Sequence, residues 1–592
     1  MNNIKLATSD YVVMIGYLLA LVVIGMICSG RKKDTKDFLL GGGKMPWFAL
    51  GISCLMAALS AFSLVMIPGE IYNHGLSYFV FSLITPLFTL VTCRIFMKFY
   101  FKLGSFTPFE YLEYRYDGSV RCLIAGMTIY LRMIYLGMVL FSTSKIFEGS
   151  AGWPPWVSIV VIGGFALVFT TVGGLKAVVW TDVMQFVVLI GGLFCILGFL
   201  FYKIDGGFFG AVHCAFTNGR GVDVFADPGF YSGNPYVRLC FWLLLWGQFM
   251  SPISSMVSDQ MTVQRLIASG SLRNAMKTQL VNTCLTIPTV LILWVIGLSV
   301  FAFYFQNPQL AKPSGDTALF NFISTQLPPA IPGLVLSAMM AAVISTVNAV
   351  FNSMATVYLK EFHLRYFKPQ LSESGQVKVA RIATMIIGIL AISLGLLIVY
   401  SASWLKQSVV EASTIFHIFE LVILPAFLFA VLSKRASSLL VWCTAALLWG
   451  CKVGTLAWYM LSTAAKNAWK PGMDLGWGGP IKPYLGIALL IAGLLLVGLC
   501  VLIRKHRKTS FVVMFGGVFS VGVSISLLLW SIFSNIYAVE TPKALSFQWG
   551  ALPITVLYIT LGLLWLKFGP DQPKEKYQGL TLFDHPQVPK AE

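Results

Sequence analysis

Apolar stretches of about 20 residues, separated by short polar or Pro/Gly-containing connections, recur along the whole chain. A helix crossing the hydrocarbon core of a bilayer needs about that length. The pattern predicts helices near 10–29, 46–67, 76–97, 121–147, 156–173, 181–202, 236–257, 278–305, 331–359, 379–400, 408–432, 437–462, 484–503, 510–534 and 548–567. About fifteen transmembrane helices make this an all-α polytopic membrane protein. Two connections, 203–235 and 306–330, are long, and the first is rich in Gly, Asp and Asn; both read as solvated loops rather than lids. The stretch "KPQLSESGQVK" reads as a polar linker between spans.

Charge then orients the spans. The chain of 592 residues is 57% hydrophobic and only 11% charged, yet its formal net charge is +18. That surplus sits between apolar spans, as in cytoplasmic loops of membrane proteins, and does not point to nucleic acid. Odd-numbered connections carry "GRKKDTK", "VQRLIASGSLRNAMK" and "RKHRK", whereas "PGEIYNHG" and "EGSAGWPP" on the other side have no Lys or Arg. The alternation predicts an external N-terminus and a cytoplasmic C-terminal tail. The first apolar segment has its basic residues (Arg31, Lys32, Lys33) after it, which suits a retained helix rather than a cleaved signal. The expected location is a multi-pass plasma membrane, with a bacterial inner membrane favoured by the lack of eukaryotic targeting features.

The eleven cysteines lie mostly inside apolar runs without CxxC spacing and read as small core residues. HExxH, a Walker loop and GxSxG are absent, so no enzyme is expected. A fused sensor would need a cytoplasmic kinase module, and only about 25 residues follow the last span.

One residue breaks the apolar pattern. In "IYLRMIYLGMVL", Arg132 lies near the middle of a span, more than two turns from Cys122 and Lys145. A guanidinium there costs about 2.5–3.5 kcal/mol, so it needs a partner or a watery cavity. Pro252 in "FMSPISSMVSD" marks an expected helix break.

Three motifs carry a resemblance: "DFLLGGGKMPWF" followed by "GISCLMAALSAFSLVMIPGEIYNHG", then "SDQMTVQR", then "LSAMMAAVISTVNAVFNSMATVYLKEF". Together they resemble the sodium/solute symporter family, over roughly residues 10–435. The resemblance implies a LeuT-type core, two five-helix halves of inverted topology built from spans 2–6 and 7–11. The organisation is then a leading segment over residues 1–45, a first repeat 46–202, an external loop 203–235, a second repeat 236–432, four further helices 433–567 and a tail 568–592. It implies sodium as the only cofactor, with a small solute and the lipid bilayer as partners and a monomer or weak homo-oligomer as the assembly.

Matched residue by residue, the family's sodium site falls on the hydroxyls of Ser345 and Thr346 and the carbonyls of Ala342, Met56 and Leu59. Oxygen ligands suit a hard cation. Asp182 matches an acidic position that some relatives use for a second sodium, with Asn348 and Ala349 where two hydroxyls would be needed; one sodium per cycle is the preferred stoichiometry. Read locally, Asp182 after Thr181 is a first-turn acid on a helix dipole. The sugar-binding pattern is absent: Ser63, Ser82 and Pro252 stand at its positions, and Ser255 at the aromatic gate. Relatives that carry sugar acids have an arginine in a context similar to that of Arg132. The favoured reading is therefore a solute carboxylate on Arg132, with Ser60 and Ser63 beside it, and the other is an internal ion pair with Glu411 or Glu420. Tyr78 and Phe79 are candidate pocket walls. Asp259, Gln260, Gln264 and Arg265 form a candidate inner gate. His417 and Glu420, three apart on one face, are either a proton-coupling pair or a structural one. The expected function is a sodium-coupled importer of a carboxylate-bearing solute such as a sugar acid, with a neutral sugar or polyol symporter as the alternative.

Overall fold

The computed structural model describes residues 6–29, 35–104, 107–234, 239–310, 315–405, 423–468 and 507–536, with a few isolated positions elsewhere. Regular structure among the described residues is helical throughout. In chain order the helices are α1 (Thr8–Ser29), α2 (Thr35–Leu40), α3 (Trp47–Ala58), α4 (Ala61–His74), α5 (Ile84–Leu103), α6 (Phe109–Arg115), α7 (Gly118–Ala151) and α8 (Pro155–Lys203). They continue with α9 (Gly207–Thr217), α10 (Pro228–Tyr231), α11 (Phe241–Ser258), α12 (Gln260–Ala268), α13 (Leu272–Gln306), α14 (Gly315–Gln326), α15 (Ile331–Val357) and α16 (Glu373–Leu405). Last come α17 (Ile423–Leu432), α18 (Ser438–Ala468) and α19 (Arg507–Ile536).

Among the described residues, seven helices are long and apolar enough to cross a membrane, or eight if the bent pair Thr35–Gly43 and Trp47–Ala58 counts as one. That is fewer than the fifteen expected, for two reasons. The predicted spans near 484–503 and 548–567, and most of that near 408–432, fall largely outside the described residues. Others are broken into pieces too short to qualify, such as α3 and α4 or the N-terminal stretch of α8.

The chain divides into two compact units. The first holds residues 1–108, 129–226 and 248–413. At its centre lies α15, in which every residue from Val335 to Val357 is buried. A helix buried on all sides must be apolar or small all round, and "SAMMAAVISTVNAVFNSMATV" is that, with its hydroxyls either bonded back to the helix itself, as at Ser337 and Ser353, or directed at other helices, as at Ser345 and Thr346. It packs along α8, where a Cβ on Gly192 would come within 2.4 Å of Ala338. Glycine there permits the close approach.

Four local expectations need correction. Pro252 does not break its helix: α11 runs on to Ser258, and the interruption falls at Asp259, whose side chain accepts the Met261 amide and so starts α12 afresh. A proline removes one amide donor, whereas an Asp cap stabilises a new start. The spans expected at 156–173 and 181–202 meet without a connecting loop, at Gly174, whose φ of +69° and ψ of 175° are non-helical. The second apolar helix therefore begins at Gly173, and Asp182 lies deep within it rather than in a first turn. Finally, the two long connections are not plain loops, for they contain α9, α10 and α14.

The second unit holds residues 109–128, 227–247 and 414–592. Its α18 and α19 pack along each other. Arg115, fully buried, donates from Nε to the Ala430 carbonyl (2.8 Å) and from Nη2 to that of Ser433 (2.5 Å), while the Tyr116 hydroxyl reaches the Ala426 carbonyl at 2.8 Å. The guanidinium thus satisfies the open carbonyls at the C-terminus of α17 and faces the negative end of its dipole.

Candidate functional site

The second apolar run is split between α3 and α4. Leu59 (φ −85°, ψ 97°) and Ser60 (φ −105°, ψ 173°) are extended, and the Ser60 side chain makes no cap bond to α4. An interrupted helix leaves last-turn carbonyls without amides four residues on. Two of them face α15: the Thr346 hydroxyl lies 3.3 Å from the Met56 carbonyl oxygen and 3.3 Å from that of Leu59. Thr346 is fully buried, and so is Ala342 one turn earlier. A hydroxyl can rotate to present a lone pair, so Thr346 and the two carbonyls form a set of oxygens suited to a small hard cation.

Ser345 faces elsewhere. Adjacent helical residues diverge by about 100°, and the Ser345 hydroxyl donates to Asp182 Oδ1 at 2.5 Å. The other carboxylate oxygen, Oδ2, accepts from the Ser53 hydroxyl at 2.5 Å and lies 3.8 Å from Arg265 Nη2. Arg265 also donates from Nε to Ser53 Oγ (2.8 Å) and from Nη1 to the Met261 carbonyl (3.0 Å). Asp182, Ser53, Ser345 and Arg265 are all essentially inaccessible to solvent. A buried carboxylate needs a charge partner and hydrogen bonds, and this one has both. Nearby on α15, Asn348 Oδ1 accepts from Thr170 at 2.6 Å, and Asn348 Nδ2 is buried without a partner among the described residues.

Arg132, on α7, pairs with Asp259 at 2.5 Å, its guanidinium 5.5 Å from the Tyr135 ring centroid. Its expected alternative partners Glu411 and Glu420, like His417, lie outside the described residues. Tyr135 lies beside Ser60, so Arg132 and Ser60 are brought to one neighbourhood through α7. Ser63 is half-buried on α4. Ser82 Oγ is buried without a partner among the described residues, and Tyr78 stacks edge-on with Phe79 at 5.0 Å. Ser255 lies 3.5 Å from the Thr262 hydroxyl across the α11–α12 break.

A profile of the "Sodium:solute symporter family" matches residues 38–439, more than half of the chain. The chain belongs to that family. This symporter is 28% identical over 383 residues to the sodium/sialic acid symporter SiaT of Proteus mirabilis, an alignment covering 64% of this chain and 76% of that one. It is 29% identical over 399 residues to the sodium-dependent multivitamin transporter of Oryctolagus cuniculus, covering 65% of this chain and 61% of that one. Among solved structures, a substrate-bound, outward-open Na+-coupled sialic acid symporter matches with a TM-score of 0.65 at 22% identity, covering 89% of this chain and 98% of that one. At that identity the likeness establishes the fold. The family consists of transporters, so the symporter is an integral membrane carrier and not an enzyme.

Within the symporter, α12 is held at several points. Asp259 caps its start. Gln264 Nε2 donates to the Leu39 carbonyl (2.6 Å) and the Thr356 hydroxyl (3.1 Å), Arg265 reaches Ser53, and Gln260 is buried beside them. At its end the Ala268 carbonyl accepts the Met45 amide at 3.2 Å. Thus Asp259, Gln264 and Arg265 each tie α12 to a different helix. Sequence reasoning missed Ser53, Thr170, Tyr135 and the Thr85–Gln248 contact between α5 and α11. A polar residue in an apolar run was the only signal for any of them.

Proposed function

We propose that this chain is a sodium-coupled symporter importing a small carboxylate-bearing solute, such as a sugar acid, by alternating access between two five-helix inverted repeats (46–202 and 236–432) flanked by further helices, about fifteen in all. Its N-terminus is external and its C-terminus cytoplasmic. Sodium sits at the break between α3 and α4, held by Thr346, the carbonyls of Met56, Leu59 and Ala342, and Ser345 once its hydroxyl leaves Asp182. The observation that carries the sodium assignment is the convergence of the Thr346 hydroxyl with two carbonyls at that break. One sodium moves per cycle: Arg265 supplies Asp182 with a positive charge from the protein itself, and Ala349 offers no hydroxyl.

The solute's carboxylate is received by Arg132, with Ser60 and Ser63 beside it and Ser82, Ser255 and Tyr78 lining the remainder. Support comes from a guanidinium that is 23% accessible inside a membrane-spanning helix, next to Tyr135 with Ser60 close by, and from similarity to a sialic acid symporter. One observation favours the other reading, a neutral sugar or polyol: Asp259 already neutralises Arg132.

Ligand-induced thermal stabilisation of the purified protein separates the two. Ligand at 100 times its dissociation constant adds about 2.7 kcal/mol to folded-state stability, enough to raise the Tm measurably. Sialic acid, lactate, gluconate and glucose are assayed with and without sodium on wild type and Arg132→Ala. Stabilisation by an acid that requires sodium and vanishes in Arg132→Ala is expected. Equal stabilisation of both proteins by glucose would make Arg132 structural and the neutral-solute reading correct.

A further inference from the structure

Helix α7 meets two helix breaks of the first unit. Arg132 pairs with Asp259, the residue between α11 and α12. Tyr135, three residues on and so on the same face, lies beside Ser60, which with Leu59 separates α3 from α4. One helix face therefore connects the break that bears the sodium oxygens to the cap of α12.

The Asp259 carboxylate is shared among several donors. Oδ1 takes Arg132 Nη2 at 2.5 Å and the Met261 amide at 3.0 Å, and Oδ2 takes the Thr262 hydroxyl at 2.9 Å. If Arg132 leaves, Asp259 keeps an amide, a hydroxyl and the positive end of the α12 dipole. The Arg132 side chain is also more accessible than that of Asp259, 23% against 10%. A planar guanidinium fork is matched by any carboxylate.

We propose that Arg132 is an exchange switch: the solute's carboxylate replaces that of Asp259 on the guanidinium, which cuts the tether between α7 and α12 and so reports solute occupancy to the α12 latch. The proposal rests on the anionic-solute reading above and adds the step by which binding is transmitted. Charge is conserved throughout, because the guanidinium trades one carboxylate for another. The other ties of α12 run through Gln264 and Arg265. Solute and the tethered latch compete for one guanidinium, so each weakens the other by the same factor. The α3–α4 break proposed to hold sodium lies next to the same face of α7, with Ser60 beside Tyr135.

The test uses Asp259→Asn in the full-length protein, which removes the competing charge and keeps an oxygen to cap α12. Binding of sialic acid, lactate, gluconate and glucose is measured by thermal shift at saturating sodium, and 22Na+ flux without solute is measured in proteoliposomes. The expected result is acid binding about tenfold tighter than in wild type, within the usual range of coupling between sites, together with a solute-independent sodium leak several-fold above wild type. Sodium-dependent stabilisation reports correct folding, and Asp259→Ser, which also keeps a capping oxygen, carries the same test if the amide variant does not fold. Acid binding that needs Arg132 but is unchanged or weaker in Asp259→Asn, with no added leak, overturns the exchange alone and makes the pair a fixed brace. Glucose stabilising wild type and Arg132→Ala equally, with no acid bound, overturns the anionic reading and the exchange with it.

Discussion

Thr346→Ala is expected to raise the sodium concentration needed for half-maximal stabilisation by about tenfold or more, since a lost polar contact at a buried ion costs about 1.5–3 kcal/mol. The reason is geometric. The Thr346 hydroxyl is the side-chain oxygen aligned with the Met56 and Leu59 carbonyls, at 3.3 Å from each. Ser345→Ala is expected to have the smaller effect on sodium, because its hydroxyl is engaged with Asp182. Thr346→Ser, which keeps the oxygen and loses a methyl, should restore most of the affinity. Sodium titrations followed by Tm, repeated as sodium-driven solute uptake in vesicles, check all three. A larger loss in Ser345→Ala than in Thr346→Ala would move the ion toward Asp182 and away from the helix break.

The second large effect is on stability. Arg265→Ala strands Asp182 in the interior with only two serine hydroxyls, and removing one partner of a buried ion pair costs about 3–5 kcal/mol. The variant is expected to unfold at markedly lower temperature and to lose monodispersity on purification. Adding Asp182→Asn in the same chain removes the stranded charge, so the double variant should recover much of the deficit. Such non-additivity is the signature of direct coupling. If the double variant is no more stable than Arg265→Ala, the pair contributes little, and packing of the long arginine stem against α3 is what was lost.

Much of the architecture was legible because it is written locally. Alternating apolar runs and basic connections reflect what a bilayer demands of each segment independently of its neighbours. The "SAMMAAVISTVNAVFNSMATV" run was legible as a membrane helix, and the structure buries it on all sides, which suits small residues and hydroxyls that gain little on a lipid face. Arg132 was conspicuous for the converse reason. The helix breaks were harder. Pro252 drew attention as a breaker, yet the helix continued through it and stopped at Asp259, whose capping role depends on an amide two residues later. The break at Gly174 falls where the span 156–173 was expected to end, but the connection expected after it is helical.

Side-chain partnership was least legible. Asp182 and Ser53 are 129 residues apart, Asp182 and Ser345 163, and Arg265 and Ser53 212, so no window of sequence contains two of them. From its neighbours alone Asp182 looked like a first-turn acid, and from its own span Arg132 had only a need for some counter-charge. The sequence by itself determined the helical, membrane-embedded class of this protein, its family and the helix that bears the Ser345–Thr346 pair, since these follow from period, composition and contiguous motifs. Only the tertiary structure decided that Thr346 turns to the α3–α4 break and Ser345 to Asp182, and that Arg132 meets Asp259. The reason is that hydrogen bonds and ion pairs are satisfied by whatever group packing brings within about 3 Å, and chain order does not encode that neighbour.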